Sequence, residues 1–108
     1  MTVNQLILTA QVQEVGLIRY TPAGMPALDF SLKAESEVQE AGRPRKVSLE
    51  IRAVVIGEIV KRIQTLGIGG QARFSGFLSA QRNGRGTMFH VTALDQLAAP
   101  DSLSGLKS

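Results

Sequence analysis

Period-two alternation of apolar and polar residues dominates the chain. Leu6, Leu8, Ala10 and Val12 share one face, while Gln5, Thr9 and Gln11 share the other. That is the signature of a half-buried strand. Ile7 breaks the polar face, so this face is expected to be covered as well, by another subunit. The segment 19–26 holds Pro22, Gly24 and Pro26 and reads as a turn in which Pro26 interrupts the ladder. Leu28, Phe30, Leu32 and Ala34 then alternate with Asp29, Ser31, Lys33 and Glu35, the clearest strand pattern in the chain. Residues 36–46 are polar, contain Gly42 and Pro44, and read as an exposed loop with a basic rim.

A third strand follows. Val47, Leu49, Ile51, Ala53 and Val55 alternate with polar residues, and Val54 and Ile56 make its far end apolar on both faces. Between Gly57 and Leu66 the period changes. Ile59, Val60, Ile63 and Leu66 fall at helical spacing, and Gly67, Gly69 and Gly70 stop the helix. A fourth strand starts at Gln71, with Gly76 inside it predicting a bulge or bend. Asn83-Gly84 marks a hairpin tip, and the last strand runs from about Thr87 to Leu97, with Phe89, Val91 and Ala93 on one face. Phe30, Phe74 and Phe89 belong to the apolar stripes and are expected in the core.

Strand, strand, strand, helix, strand, strand is the order of an all-β fold, a five-stranded OB-fold barrel with one short helix between strands 3 and 4. An open antiparallel sheet carrying one helix is the competing architecture. The reading assigns residues 1–97 to one domain and 98–108 to a disordered, small and polar tail.

Composition narrows the function. The chain has 108 residues, one domain's worth. It has no cysteine and one histidine, His90, which removes disulfides, thiolate metal sites and a cysteine nucleophile. No cofactor is expected. No apolar run approaches the roughly 18–20 residues of a membrane span, and the N-terminus lacks the pattern of a signal peptide. A cytoplasmic protein is therefore expected. No constellation of nucleophile, base and acid or of paired carboxylates is visible, so an enzyme is not expected.

Charge placement says more than the net value of +3. Between Glu58 and Asp95 there is no acidic residue, while Lys61, Arg62, Arg73, Arg82 and Arg85 lie in that window. A second basic group is Arg43, Arg45 and Lys46, followed by Arg52. Arginine outnumbers lysine eight to four, and its planar fork suits phosphates and stacks on bases. This is the footprint of a polyanion binder.

Asn4-Gln5-Leu6-Ile7-Leu8, Arg19-Tyr20-Thr21-Pro22-Ala23-Gly24-Met25-Pro26 and Phe30-Ser31-Leu32 resemble the opening of bacterial single-stranded-DNA-binding proteins. Within that group the closer resemblance is to the replication-restart family, primosomal replication protein N. Glu40-Ala41-Gly42, Gly76-Phe77-Leu78-Ser79 and Asp95-Gln96-Leu97 carry the likeness along the chain, over about residues 3 to 97. The acidic tip of the larger relatives is missing from the last residues, 101–108. The resemblance implies an OB-fold homodimer that binds single-stranded DNA at stalled forks and is nucleoid-associated. It also implies contact with the helicase PriA and, in some bacteria, with DnaT. The family pairs the first strands of two subunits, which places Gln5, Ile7 and Thr9 at a dimer interface.

Single strands are held by basic grooves and aromatic platforms. The candidates for nucleic-acid contact are Arg19, Tyr20, Arg43, Arg45, Lys46, Arg52, Phe77, Arg82 and Arg85. The resemblance puts Arg19 and Arg82 at places where basic contacts are expected. It puts Ser48 and Arg43 where the family has aromatics, leaving Tyr20 and Phe77 as the candidate platforms. Binding is then expected to lean on phosphates, to be steeply salt-dependent and to show little sequence preference. His90 reads as a surface or interface residue. The same basic loops would suit an RNA- or ribosome-binding OB module, and a protein-binding scaffold is a third possibility.

Overall fold

In the computed structural model, which describes residues 3–81 and 84–96, alternation produces the expected strands, several of them longer than the pattern suggests. The elements are β1 (Leu6–Tyr20), β2 (Pro26–Glu40), β3 (Arg43–Ile56), α1 (Ile59–Leu66), β4 (Gln71–Ala80) and β5 (Thr87–Gln96). They close into a barrel in the order β1-β2-β3-β5-β4. The β3–β5 contact is parallel and the other ladders are antiparallel. This is the five-stranded OB-fold barrel with its helix between the third and fourth strands.

β1 makes closure possible by serving two partners. Leu6–Gln11 pair with β4, and Gln11–Tyr20 pair with β2. Register shifts between Val12 and Glu14 and between Val15 and Ile18 bend the strand where it changes partner. The side chain of Asn4 continues the β4 ladder. Its Nδ2 donates to the Leu78 carbonyl at 2.7 Å and its Oδ1 accepts from the Leu78 N–H at 2.9 Å.

The inward faces meet in one core. Leu28, Leu32, Val55, Phe74 and Phe89 are fully buried, with Phe30 and Phe74 rings 6.3 Å apart in a tilted arrangement. Each such side chain contributes roughly 1.5–3 kcal/mol on leaving water. α1 closes one end through Val60 and Ile63, which join that core. Gly67, at φ 71°, stops the helix, and its N–H donates to the Ile63 carbonyl at 2.9 Å.

Four expectations need correction. Residues 36–46 are not a loop. β2 and β3 stay paired out to Glu40 opposite Arg43, and Ala41 (φ 54°) and Gly42 (φ 76°) make a two-residue turn with both residues left-handed. Pro26 does not interrupt the ladder. It pairs with Tyr20 as the first residue of β2, a position where a missing N–H is tolerated. Val47 and Leu49 are exposed, because the start of β3 has left the barrel. On β5, Leu94 is buried and Ala93 is exposed. The ladder skips Thr92, setting Ser75 opposite Ala93 but Gly76 opposite Val91. That bulge is the irregularity Gly76 announced, and it moves the inward face by one residue. Leu97, Arg82 and the expected tail, 98–108, lie outside the described residues.

Candidate nucleic-acid interface

The strand registers place outward residues in rows across the barrel. Asp29 on β2 faces Val54 on β3, which faces His90 on β5, which faces Phe77 on β4. The next row is Glu14, Ser31, Arg52, Met88 and Ser79, one from each of β1, β2, β3, β5 and β4. Together they form a lane running across the strands, the direction in which OB folds carry extended ligands.

Rings stand at one end of the lane. Phe77 is 41% exposed, and its ring stacks on that of His90, with centroids 4.7 Å apart and planes 6° apart. The Nε2 of His90 lies 2.8 Å from Ser79 Oγ, and that hydroxyl also reaches the Ala80 carbonyl at 3.3 Å. Gly76 makes this packing possible. A Cβ there would fall 1.8 Å from the His90 carbonyl oxygen, so β4 approaches β5 only because the side chain is missing.

The rest of the lane holds one cation, Arg52, and the carboxylates of Glu14 and Asp29. Arg52 is exposed in the middle of the lane and has no ion-pair partner among the described residues. Beside it the Ser31 hydroxyl is buried without a hydrogen-bond partner among the described residues, a group that a ligand or water must satisfy. Arg52 and Ser31 share a shallow cleft with Glu14, Gly16 and Asp29. Arg19 sits at the lane's other end and is held by Asp29, with Nη2–Oδ1 at 3.1 Å and Nε–Oδ2 at 3.3 Å. Both partners are substantially exposed. Such a pair is worth about 0–1 kcal/mol, so a phosphate can replace Asp29 at little cost.

The remaining candidates divide. Arg43, Arg45 and Lys46 are not on a loop rim but on β3 itself, in the part of the β2–β3 hairpin that projects from the barrel. Arg45 is paired with Glu40, whereas Arg43 and Lys46 have no ion pair among the described residues. Tyr20 ends β1 and is 70% exposed. It lines a different cleft, with Ile18, Met25 and residues of α1, and does not join the ring pair. Arg85 is exposed in the β4–β5 turn and engaged with another group. Gln5 and Thr9 are exposed beside Ile7, which is 56% exposed. The Leu6–Ala10 backbone pairs with β4 on one edge and has no partner strand on the other among the described residues. The structure adds His90, Ser31 and Ser79 to the sequence candidates. His90 carried one legible signal, its outward position in the β5 alternation.

The barrel has the fold of a single-strand-binding protein domain. A model described as another single-strand binding protein family matches residues 4–93. The replication restart protein PriB of Bordetella pertussis is 46% identical over 79 residues, covering 73% of this chain and 74% of that protein. PriB of Neisseria meningitidis serogroup B is 42% identical over 85 residues, covering 79% and 83%. The PriB structure from Ralstonia solanacearum superimposes with a TM-score of 0.81 at 29% identity, over 90% of this chain and all of that one. The single-stranded DNA binding protein of Thermus aquaticus shares the fold, with a TM-score of 0.70 at 23% identity, over 92% of this chain and 52% of that one. The chain belongs to the PriB family of replication restart proteins.

Proposed function

We propose that this chain binds single-stranded DNA without sequence preference, as an accessory protein of replication restart in the cytoplasm, and bridges to the PriA helicase. One observation carries the binding reading: the Phe77–His90 ring stack, with Phe77 exposed, lies in one lane with the guanidinium of Arg52, which has no ion pair among the described residues. A ring to stack on and a cation for the phosphate are the two parts such a site needs. The relatives' names supply the replication-restart setting. Arg19, Arg43 and Lys46 extend the basic track, with Arg85 at the β4–β5 turn. Residues 1–97 act as the binding domain and 98–108 as its tail. The protein acts as a homodimer through the edge of β1 that has no partner strand among the described residues, where Gln5, Ile7 and Thr9 are exposed. PriA, and DnaT where present, would be met by surfaces outside the lane. The reading has no catalytic step.

The test is fluorescence anisotropy of labelled poly-dT across a salt series, with duplex DNA and poly-U alongside. Preference for the single DNA strand is expected. Arg52→Ala should reduce the slope of log K against log salt by about 0.7, one phosphate's worth. Equal binding of poly-U and poly-dT would favour the RNA-binding reading, and no binding at low salt would leave a protein-binding barrel.

A further inference from the structure

His90 does more in this lane than back Phe77. It is the chain's only histidine, and histidine is the side chain whose charge ordinarily changes between about pH 5 and pH 8. Its ring stacks on Phe77, and its Nε2 is 2.8 Å from Ser79 Oγ. In the imidazolium form both ring nitrogens donate. Ser79 Oγ can accept from Nε2–H while donating to the Ala80 carbonyl, 3.3 Å away. The second N–H, on Nδ1, then has no acceptor among the described residues.

The surroundings make an anion the matching acceptor. β3 contributes Val54 opposite His90 and, one step along the same face, Arg52. β4 contributes Ser75, Phe77 and Ser79, and β5 itself Met88 and Thr92, none of them charged. Among the described residues the carboxylates of these two rows are Asp29, beyond Val54 and already paired with Arg19, and Glu14, two strands beyond Arg52 on the side away from His90. A group bound between His90 and Arg52 therefore meets two donors before it meets either carboxylate. From this geometry we infer that His90 is a phosphate contact, and that the protein takes up a proton on His90 when it binds a single strand. The inference rests on the single-strand-binding reading above.

The sign follows from linkage. A phosphate beside the ring favours its charged form, so binding takes up a proton and affinity rises as pH falls. The imidazolium also adds one neutralised phosphate to the contact.

The experiment uses the full chain and labelled poly-dT, with salt series at about pH 8 and about pH 5.5, the window in which a histidine changes charge. Wild type should bind about five-fold more tightly at the lower pH, as one added charge-assisted contact on an exposed surface implies. Its log K against log salt slope should steepen by about 0.7. His90→Phe keeps a ring against Phe77 but takes no proton. Measured against its own binding at the higher pH, it should lose both low-pH gains. His90→Gln, which can still donate to Ser79, should lose the same gains and serves if the Phe variant fails to fold. A low-pH gain shared by wild type and both variants would overturn the inference, as would a wild type with no gain. Absence of poly-dT binding by wild type at either pH would overturn the single-strand reading itself.

Discussion

β2 and β3 form one continuous ladder with two very different halves. From Ala27 opposite Ile56 to Leu32 opposite Ile51 the pair belongs to the barrel, and its inward residues Leu28, Phe30 and Leu32 are buried. From Glu35 opposite Ser48 to Glu40 opposite Arg43 the same pair is exposed on both faces. Backbone hydrogen bonds are common to both halves. What differs is that the first half carries the fold and the lane's outward groups, whereas the second offers charge on a bare ribbon. A ladder can therefore continue where nothing is buried, provided the turn at its tip is a good one. Strand length and core membership are separate properties of this sequence.

That contrast can be broken from the barrel side first. Phe74→Ala empties a fully buried position and should cost about 3–5 kcal/mol of stability in urea unfolding. Gly76→Ala drives a methyl into the His90 carbonyl and should cost about 1–3 kcal/mol, with loss of poly-dT binding, since Phe77 is its neighbour. Phe77→Ala should leave stability within about 0.5 kcal/mol. It should weaken poly-dT binding by about 1–3 kcal/mol without changing the salt slope. On the ribbon the effects turn electrostatic. Arg43→Ala with Lys46→Ala should lower the salt slope by about 1.4, two phosphates' worth. Val47→Ala, exposed on the same ribbon, should change stability by less than about 0.5 kcal/mol. A larger loss there would mean that the ribbon is packed against something in solution.

The barrel was legible in the sequence because burial imposes alternation. Leu28, Phe30, Leu32 and Ala34 had to share a face, and the change of period at Ile59–Leu66 had to be a helix. The ribbon was not legible, because the tip of a ladder needs no apolar residues. Glu37, Gln39, Arg43 and Pro44 read as loop by composition while pairing as strand. The usable signal was Ala41-Gly42, since a two-residue turn of this hand favours glycine. Phe77, a candidate platform in the sequence, stands outward in the structure. Its partnership with His90 was hidden, because that depends on which residue of β5 lies opposite, and the bulge at Thr92 decides it. The same bulge explains the misplaced Ala93. Two of the basic candidates, Arg19 and Arg45, turned out to be held by carboxylates from positions ten residues ahead and five residues behind. Period-two reading cannot reveal such contacts.

Thr92 can be regarded as a phase step in a two-state wave. Upstream of it the buried residues of β5 are Phe89 and Val91, and downstream the next is Leu94. Because Thr92 is the residue the ladder skips, deleting it would leave Ser75 opposite Ala93 and Phe74 opposite Leu94, with Leu94 still facing inward. The strand can therefore lose a residue at this step, whereas losing one between Phe89 and Val91 would carry Val91 off the inward face.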